Sequence, residues 1–132
     1  MSLTDSIKPG LVGTAQVEVS EQNTAVTYGS GGINVYATPA MIGLMEKAAL
    51  SSVEPLLPEG YSTVGIKVNV EHVAATPIGG KVRAHTELVE IDGLRLVFDV
   101  QAHDDRRLVG QGVHERFIVQ SDQFLQRAIK RQ

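Results

Sequence analysis

The chain of 132 residues contains no cysteine, which excludes a disulfide scaffold, a thiol nucleophile and a cysteine-ligated zinc site. It also lacks a long hydrophobic run. Its longest nearly apolar stretch, residues 39–50, is interrupted by Glu46 and Lys47 and is far too short to span a membrane. Residues 1–9 lack the basic and apolar segments of a signal peptide, so we expect a cytoplasmic protein.

Positive charge is also scarce. Twelve Lys and Arg against fifteen Asp and Glu give a net charge of −3, so nucleic acid is not an expected partner. No pair of histidines has the spacing of metal ligands on a helix face, and we expect neither a metal nor a cofactor. The remaining composition, 42% apolar and 20% charged, is that of an ordinary globular protein. The length suits a single domain covering residues 1–132.

Hydrophobic periodicity predicts one buried helix early in the chain. Pro39 suits the first helical turn, with Thr38 as the expected N-cap. Residues 40–53 are apolar around most of the circumference, which is typical of a helix packed against a sheet. Before the helix, we expect a strand over residues 10–20, whereas residues 25–28 fit either a short edge strand or a loop.

Four strands are predicted after the helix, over residues 62–73, 81–91, 94–104 and 108–119. In the first of them, alternation predicts that Val64, Ile66, Val68 and Val70 face inward. The Asp92-Gly93 pair predicts a type I′ hairpin turn, and Ser121 is the expected cap of a short C-terminal helix.

This order of elements predicts an α+β fold in which an antiparallel meander of these four strands curls around the helix. The free sheet edges favour pairing of two protomers.

Three residues stand out as candidates for chemistry. Glu46 lies on the apolar side of the helix, where partial desolvation should raise its pKa, unless it is a surface glutamate at the edge of that side. His72 continues the predicted inward side of its strand, although a core-edge histidine bonded to a carbonyl would look the same. Thr38 is an N-cap in the simplest interpretation, yet its hydroxyl would also lie where helix amides favour a developing oxyanion.

Other residues carry weaker signals. Gly65 interrupts an alternating strand, where glycine is unfavourable unless a ligand or another backbone approaches closely. Arg116 could bind a carboxylate or phosphate, or could be a surface arginine. His85 and His103 fall on the polar sides of their strands, and the side on which His114 lies stays open.

Three segments resemble the hotdog-fold acyl-CoA thioesterases, in particular the fluoroacetyl-CoA thioesterase-like group. They are VYATPAMIGLME at 35–46, EHVAATP at 71–77 and GQGVHER at 110–116. The resemblance implies a sheet wrapped around a long helix and a homodimer with active sites at its interface. One segment departs from the group: GSGGIN at 29–34 stands where the fluoroacetyl-specific enzyme has an aromatic-rich lid. We therefore expect the chemistry, but not the fluoroacetyl preference, to carry over.

The resemblance also implies roles for individual residues. Thr38, Glu46 and His72 match the catalytic threonine, glutamate and histidine of the group, and Gly65 and Arg116 match positions that contact substrate. The expected reaction is hydrolysis of a small acyl-CoA thioester, with CoA as part of the substrate and Glu46 as nucleophile or general base. Two alternatives stay open: a hotdog enoyl-CoA hydratase or dehydratase, and a non-catalytic acyl-CoA-binding protein.

Overall fold

A computed structural model describes residues 2–132 as five antiparallel strands curled around one long helix. The strands are β1 (Val12–Glu18), β2 (Tyr61–His72), β3 (Lys81–Asp92), β4 (Arg95–His103) and β5 (Leu108–Gln120), and the helices are α1 (Ala25–Tyr28), α2 (Thr38–Val53) and α3 (Ser121–Lys130). Single 3-10 turns cover Glu21–Asn23 and Glu54–Leu56. None of the helices in this described part is long and apolar enough to cross a membrane. The predicted α+β architecture is confirmed.

The sheet order, β1-β3-β4-β5-β2, differs from the predicted four-strand meander. Only β3, β4 and β5 follow one another as neighbours, while β2 pairs with β5 at the far edge. The connection from β2 to β3, residues 73–80, is longer than a tight hairpin loop, so it can carry the chain across the end of the sheet. As a result, β2 is an edge strand.

The core lies between α2 and the concave side of the sheet. Alternate residues of β3 and β4 point inward, as their patterns predict, and they pack on one side of α2. The buried helix residues are Met41, Leu44, Met45, Ala48, Ala49 and Val53. β1 crosses this helix so closely that a Cβ at Gly13 would collide with the backbone carbonyl of Ala48. This packing fixes α2 as the rigid centre of the fold.

The start of α2 differs from the prediction. Ala37, not Thr38, is the N-cap residue, and Thr38 is already the first helical residue. No side chain caps this end. The Thr38 hydroxyl is therefore free of the capping role that the sequence assigned to it. Residues 25–28, expected to be a strand or a loop, form the short helix α1, which Thr24 caps and Gly29 ends in the left-handed region with φ 73°.

Two turns also differ in detail. Asp92 pairs with Arg95, so the β3–β4 loop consists of Gly93 and Leu94. Of the two, only Gly93 has a positive φ, 62°, and this excludes a type I′ turn, which needs two. At the C-terminal helix, Ser121 is the first helical residue, and the side chain of Gln120 accepts the capping hydrogen bond from the Gln123 amide.

A β-bulge in β2 changes which side chains face inward. The pairing with β5 slips by one residue between Gly65 and Lys67, which leaves Ile66 without a counterpart. Because one extra residue moves the following side chains to the other side, positions 63 and 65 face inward before the bulge, and 68, 70 and 72 after it. The prediction that Val64 and Ile66 face inward is therefore wrong, whereas the inward position of His72 is correct.

Candidate active site

The N-terminus of α2 holds a hydrogen-bonded pair. The Thr38 hydroxyl lies 2.7 Å from Nδ1 of His72, the last residue of β2. The pair borders a shallow cavity of about 310 Å³, which Tyr36 and the backbone after His72 also line. The first turn of a helix leaves backbone amides without intrahelical partners, and these carry partial positive charge. Hydroxyl, imidazole and amides thus meet at one end of the helix.

His72 is suited to handling a proton. Burial lowers its pKa, and the backbone of Ala74 opposes this shift in part. Its Nε2 is shielded from solvent and finds no hydrogen-bond partner among residues 2–132. A buried polar atom without a partner is costly, which marks Nε2 as a candidate for a functional contact. The sequence-based alternative, a core-edge histidine bonded to a carbonyl, stays open, because a hydrogen bond with the backbone of Ala74 contributes to the pKa of this ring.

A second cluster forms around Glu46, two turns further along α2. The Glu46 side chain stays 39% exposed, and its Oε2 lies 3.8 Å from Nη1 of Arg116. The carboxylate is therefore partly desolvated, as the sequence predicts, and a cation lies beside it. Within the part of the chain that the structure describes, no hydrogen bond reaches the Glu46 carboxylate, so its oxygens are free to react.

Arg116 is buried rather than a surface arginine. Its Nε donates to the Thr63 hydroxyl at 2.7 Å, and its Nη2 donates to the Thr63 carbonyl at 2.9 Å. Its Nη1 lies 3.1 Å from Nε2 of His114. Burial lowers the pKa of the guanidinium, an effect that the charges of Glu46 and Glu54 oppose. With these contacts, β2 and β5 hold a positive charge beneath the carboxylate.

His114 is a site residue that sequence analysis missed. The ring is buried, stacks on Phe98 with centroids 6.4 Å apart, and places Nδ1 2.9 Å from the Lys67 carbonyl. Its facing could not be assigned because Val109 and Gly110 are both buried, so β5 does not begin with clean alternation. One signal in the sequence could have shown that His114 faces inward. His114, Arg116 and Ile118 alternate along β5, and the apolar Ile118 marks their shared side as the inward one.

Gly65 lies where β2 passes closest to this cluster. A Cβ at this position would come within 2.5 Å of Glu46 Oε2 and 3.2 Å of His114 Cε1. The sequence analysis expected a ligand or another backbone close to this glycine; the structure places the Glu46 carboxylate there instead. Any larger residue would displace the carboxylate from the strand.

The structure thus sorts the five predicted residues into two groups. Thr38 and His72 lie together, and Glu46, Gly65 and Arg116 lie together. Thr38 and Glu46 are eight residues apart on one helix, which corresponds to about 12 Å along its axis. Among residues 2–132, no group of three or more His, Asp or Glu side chains could hold a metal ion.

Comparison with known proteins identifies relatives of this chain in sequence and in fold. Residues 19–122 match the family described as fluoroacetyl-CoA-specific thioesterase. The chain is 40% identical over 90 residues to the fluoroacetyl-CoA thioesterase of Streptantibioticus cattleyicolor, and the match covers 68% of this chain and 65% of that protein. The chain therefore spans about 65% of the length of this curated relative.

Solved structures of the same fold are also similar to this chain. A structure of the fluoroacetyl-CoA thioesterase superposes with a TM-score of 0.91 at 31% identity, covering 97% of this chain and 99% of that one. A hot-dog-like protein from Thermanaerovibrio acidaminovorans superposes with a TM-score of 0.89 at 24% identity, covering 99% and 97%. The hotdog fold implied by the sequence resemblance is confirmed.

Proposed function

Because the chain belongs to the fluoroacetyl-CoA-specific thioesterase family, we propose that it hydrolyses the thioester of a small acyl-CoA to the free acid and CoA. The observation that carries the proposal is the Glu46 carboxylate, which is partly exposed, free of hydrogen bonds from the described residues and 3.8 Å from a buried cation. Water is the only co-substrate that hydrolysis needs, and no cofactor is part of the proposal. The cytoplasmic location expected from the sequence stays a prediction.

The N-terminus of α2 is the proposed binding place of the thioester carbonyl. Helix amides and the Thr38 hydroxyl would donate to the carbonyl oxygen and stabilise the negative charge that develops there. His72 supports this role, because its Nδ1 lies within hydrogen-bond distance of that hydroxyl and can fix its direction. Its Nε2 has no hydrogen-bond partner among the described residues, and His72 would also carry a proton to the departing thiolate.

Glu46 is the proposed attacking group or general base. In the first route, one of its oxygens bonds to the thioester carbon, the carbon–sulfur bond breaks, and water then hydrolyses the resulting anhydride. In the second route, the carboxylate takes a proton from water as the water oxygen attacks the same carbon, and the carbon–sulfur bond then breaks to release the CoA thiolate, which takes up a proton. In both, Gly65 leaves room for the carboxylate and Arg116 balances its charge.

We propose that the working unit is a homodimer. Attacking and attacked atoms must approach to about 3–3.5 Å, whereas Thr38 and Glu46 of one chain are about 12 Å apart along α2. A second protomer removes this difficulty if its Glu46 faces Thr38 and His72 of the first. The edge strand β2 is the proposed contact, since its outer edge is unpaired and Ile66 and Val68 are 52% and 40% exposed.

Local positive charge for the CoA phosphates is proposed to come from Arg106 and Arg107. Arg95 is paired with Glu90, Asp92 and Glu115 at 3.0 to 3.3 Å, so its charge is already balanced. Arg106 and Arg107 are exposed, and their amides bond to the Asp104 carboxylate. The same carboxylate accepts from the Thr76 hydroxyl at 2.9 Å, which ties this loop to the segment that follows His72.

A thiol-release assay over a panel of acyl-CoAs tests the proposal. We expect turnover of short acyl groups, with acetyl-CoA and fluoroacetyl-CoA side by side to show whether the fluoroacetyl preference is retained. Loss of enoyl-CoA absorbance without thiol release would instead identify a hydratase. Saturable binding of every CoA ester without turnover would identify a non-catalytic binding protein, and either result would refute the proposal.

A further inference from the structure

The hydrogen bonds of His114 fix its protonation state. Its Nδ1 contacts the Lys67 carbonyl, which can only accept, so Nδ1 carries the proton. Its Nε2 contacts Nη1 of Arg116, which can only donate, so Nε2 presents its lone pair. The ring is therefore neutral and uses both nitrogens.

Arg116 depends on this acceptor for its orientation. A guanidinium has five N–H donors, and the hydroxyl and carbonyl of Thr63 account for one on Nε and one on Nη2. The contact with His114 takes one of the two on Nη1, the nitrogen that lies nearest to Glu46. Without that acceptor, Nη1 would be free to close from 3.8 Å to the roughly 2.7–2.9 Å of a charged hydrogen bond with the carboxylate.

We propose that His114 is a positioning residue of the thioesterase: its Nε2 lone pair holds Arg116 beneath Glu46 and keeps the guanidinium from bonding to the reactive carboxylate. The inference rests on the proposed function. In this arrangement the cation balances negative charge in the site, while the Glu46 oxygens stay free to attack the thioester or to accept a proton from water. A carboxylate held in a direct ion pair would be a weaker nucleophile and a weaker base.

The surroundings of His114 keep it neutral. Burial is the largest effect and lowers the pKa of the ring, so deprotonation is favoured. The hydrogen bond to the Lys67 backbone opposes this shift, Arg116 on β5 adds to it, and the charges of Glu46 on α2 and Glu115 on β5 oppose it. Phe98 of β4 covers one face of the ring with an apolar surface. Protonation would also place an Nε2–H donor directly against an Nη1–H donor.

Two substitutions at position 114 separate positioning from packing. In His114→Gln, the amide oxygen can reach the place of Nε2 and still accept from Arg116. In His114→Asn, the shorter amide can still donate to the Lys67 carbonyl but offers Arg116 no acceptor. We expect His114→Asn to lower kcat by about 10- to 100-fold with KM little changed, because a hydrogen bond to a charged group is lost. We expect His114→Gln to retain most of kcat.

The outcomes distinguish this inference from the proposed function. If the wild-type protein hydrolyses acyl-CoA and both variants keep its kcat, or if both lose activity equally while staying folded, the positioning role is refuted. If the wild-type protein releases no thiol from any acyl-CoA, the proposed function itself is refuted.

A measurement on the wild-type protein needs no variant and no activity. Nitrogen-15 NMR of the histidine rings should show His114 at neutral pH with a protonated Nδ1 and an unprotonated Nε2. A ring protonated on Nε2, or on both nitrogens, would overturn the inference even if the enzyme is active.

Discussion

Mixing two inactive variants should restore activity if each site draws on two protomers. One variant is Glu46→Gln and the other is His72→Ala. Along α2, Thr38 and Glu46 are eight positions apart, which is about 12 Å and several times the roughly 3–3.5 Å over which reacting groups must meet. In a mixed dimer, the intact Glu46 of one chain would therefore meet the intact Thr38 and His72 of the other, and one of its two sites would be complete.

The expected magnitude follows from the dimer statistics. If equal amounts of the two variants reassort at random, half of the dimers are mixed and each has one working site, so about a quarter of the wild-type activity returns. Thiol release from a short acyl-CoA is the assay, measured before and after co-refolding. A mixed dimer purified through two different tags should have about half of the wild-type activity per dimer.

A matched control comes from the Thr38→Ala and His72→Ala variants. Their changes fall in the same half of the site, because the two side chains are hydrogen-bonded to each other within one chain. Every site of their mixed dimer would carry one defect, so mixing should restore nothing. If the Glu46→Gln and His72→Ala mixture also gives no more than the mean of its two parents, the two-protomer site is refuted.

Two further substitutions and one change of pH test other features of the structure. Gly65→Ala should lower kcat at least tenfold, because the new Cβ would lie 2.5 Å from Glu46 Oε2; unchanged kinetics would contradict the close packing of strand and carboxylate. Gly43 is exposed on the helix, and a Cβ added there would have nothing within 4 Å. Gly43→Ala should therefore raise the free energy of unfolding by about 1 kcal/mol in urea titrations and leave kcat unchanged. Acidification should destabilise the fold, since burial lowers the pKa of both His72 and His114 below the ordinary 6.5. The unfolded chain then binds protons that the folded chain does not, so stability should fall as pH drops below about 6.5; equal stability at pH 7.5 and 5.5 would contradict this.

Local signals explain why the long helix and all five strands could be predicted. Pro39 marks the first turn of α2, and alternation over residues 82–88 of β3 and 96–102 of β4 predicts the side chains that the structure places inward. A bulge between Leu88 and Glu90 breaks the alternation near the end of β3. The position of β2 could not be predicted in the same way, because pairing of β2 with β5 depends on contacts between residues far apart in the chain. The β2–β3 connection is long enough for more than one arrangement, and its composition does not choose between them.

The site was predictable to a similar extent. Glu46 and His72 stood out as polar residues on apolar sides, and both lie at the inner surface of the sheet and helix. The role of Arg116 could not be read from sequence, because its contact with Thr63 depends on the register of β2 against β5. His114 was missed because β5 does not begin with clean alternation. The separation of the site into two groups became clear only from the structure. The sequence signal for it was the spacing of eight residues between Thr38 and Glu46 on one helix.

The central claim is that Glu46 carries out thioester hydrolysis, and the most direct test is thiol release by Glu46→Gln from the best short acyl-CoA of the panel. The amide nearly preserves the shape of the carboxylate but cannot attack or act as a base. With the circular dichroism spectrum and the oligomeric state unchanged, the account predicts a kcat lower by about 10²–10⁴-fold. A folded Glu46→Gln protein that keeps the wild-type rate would contradict it.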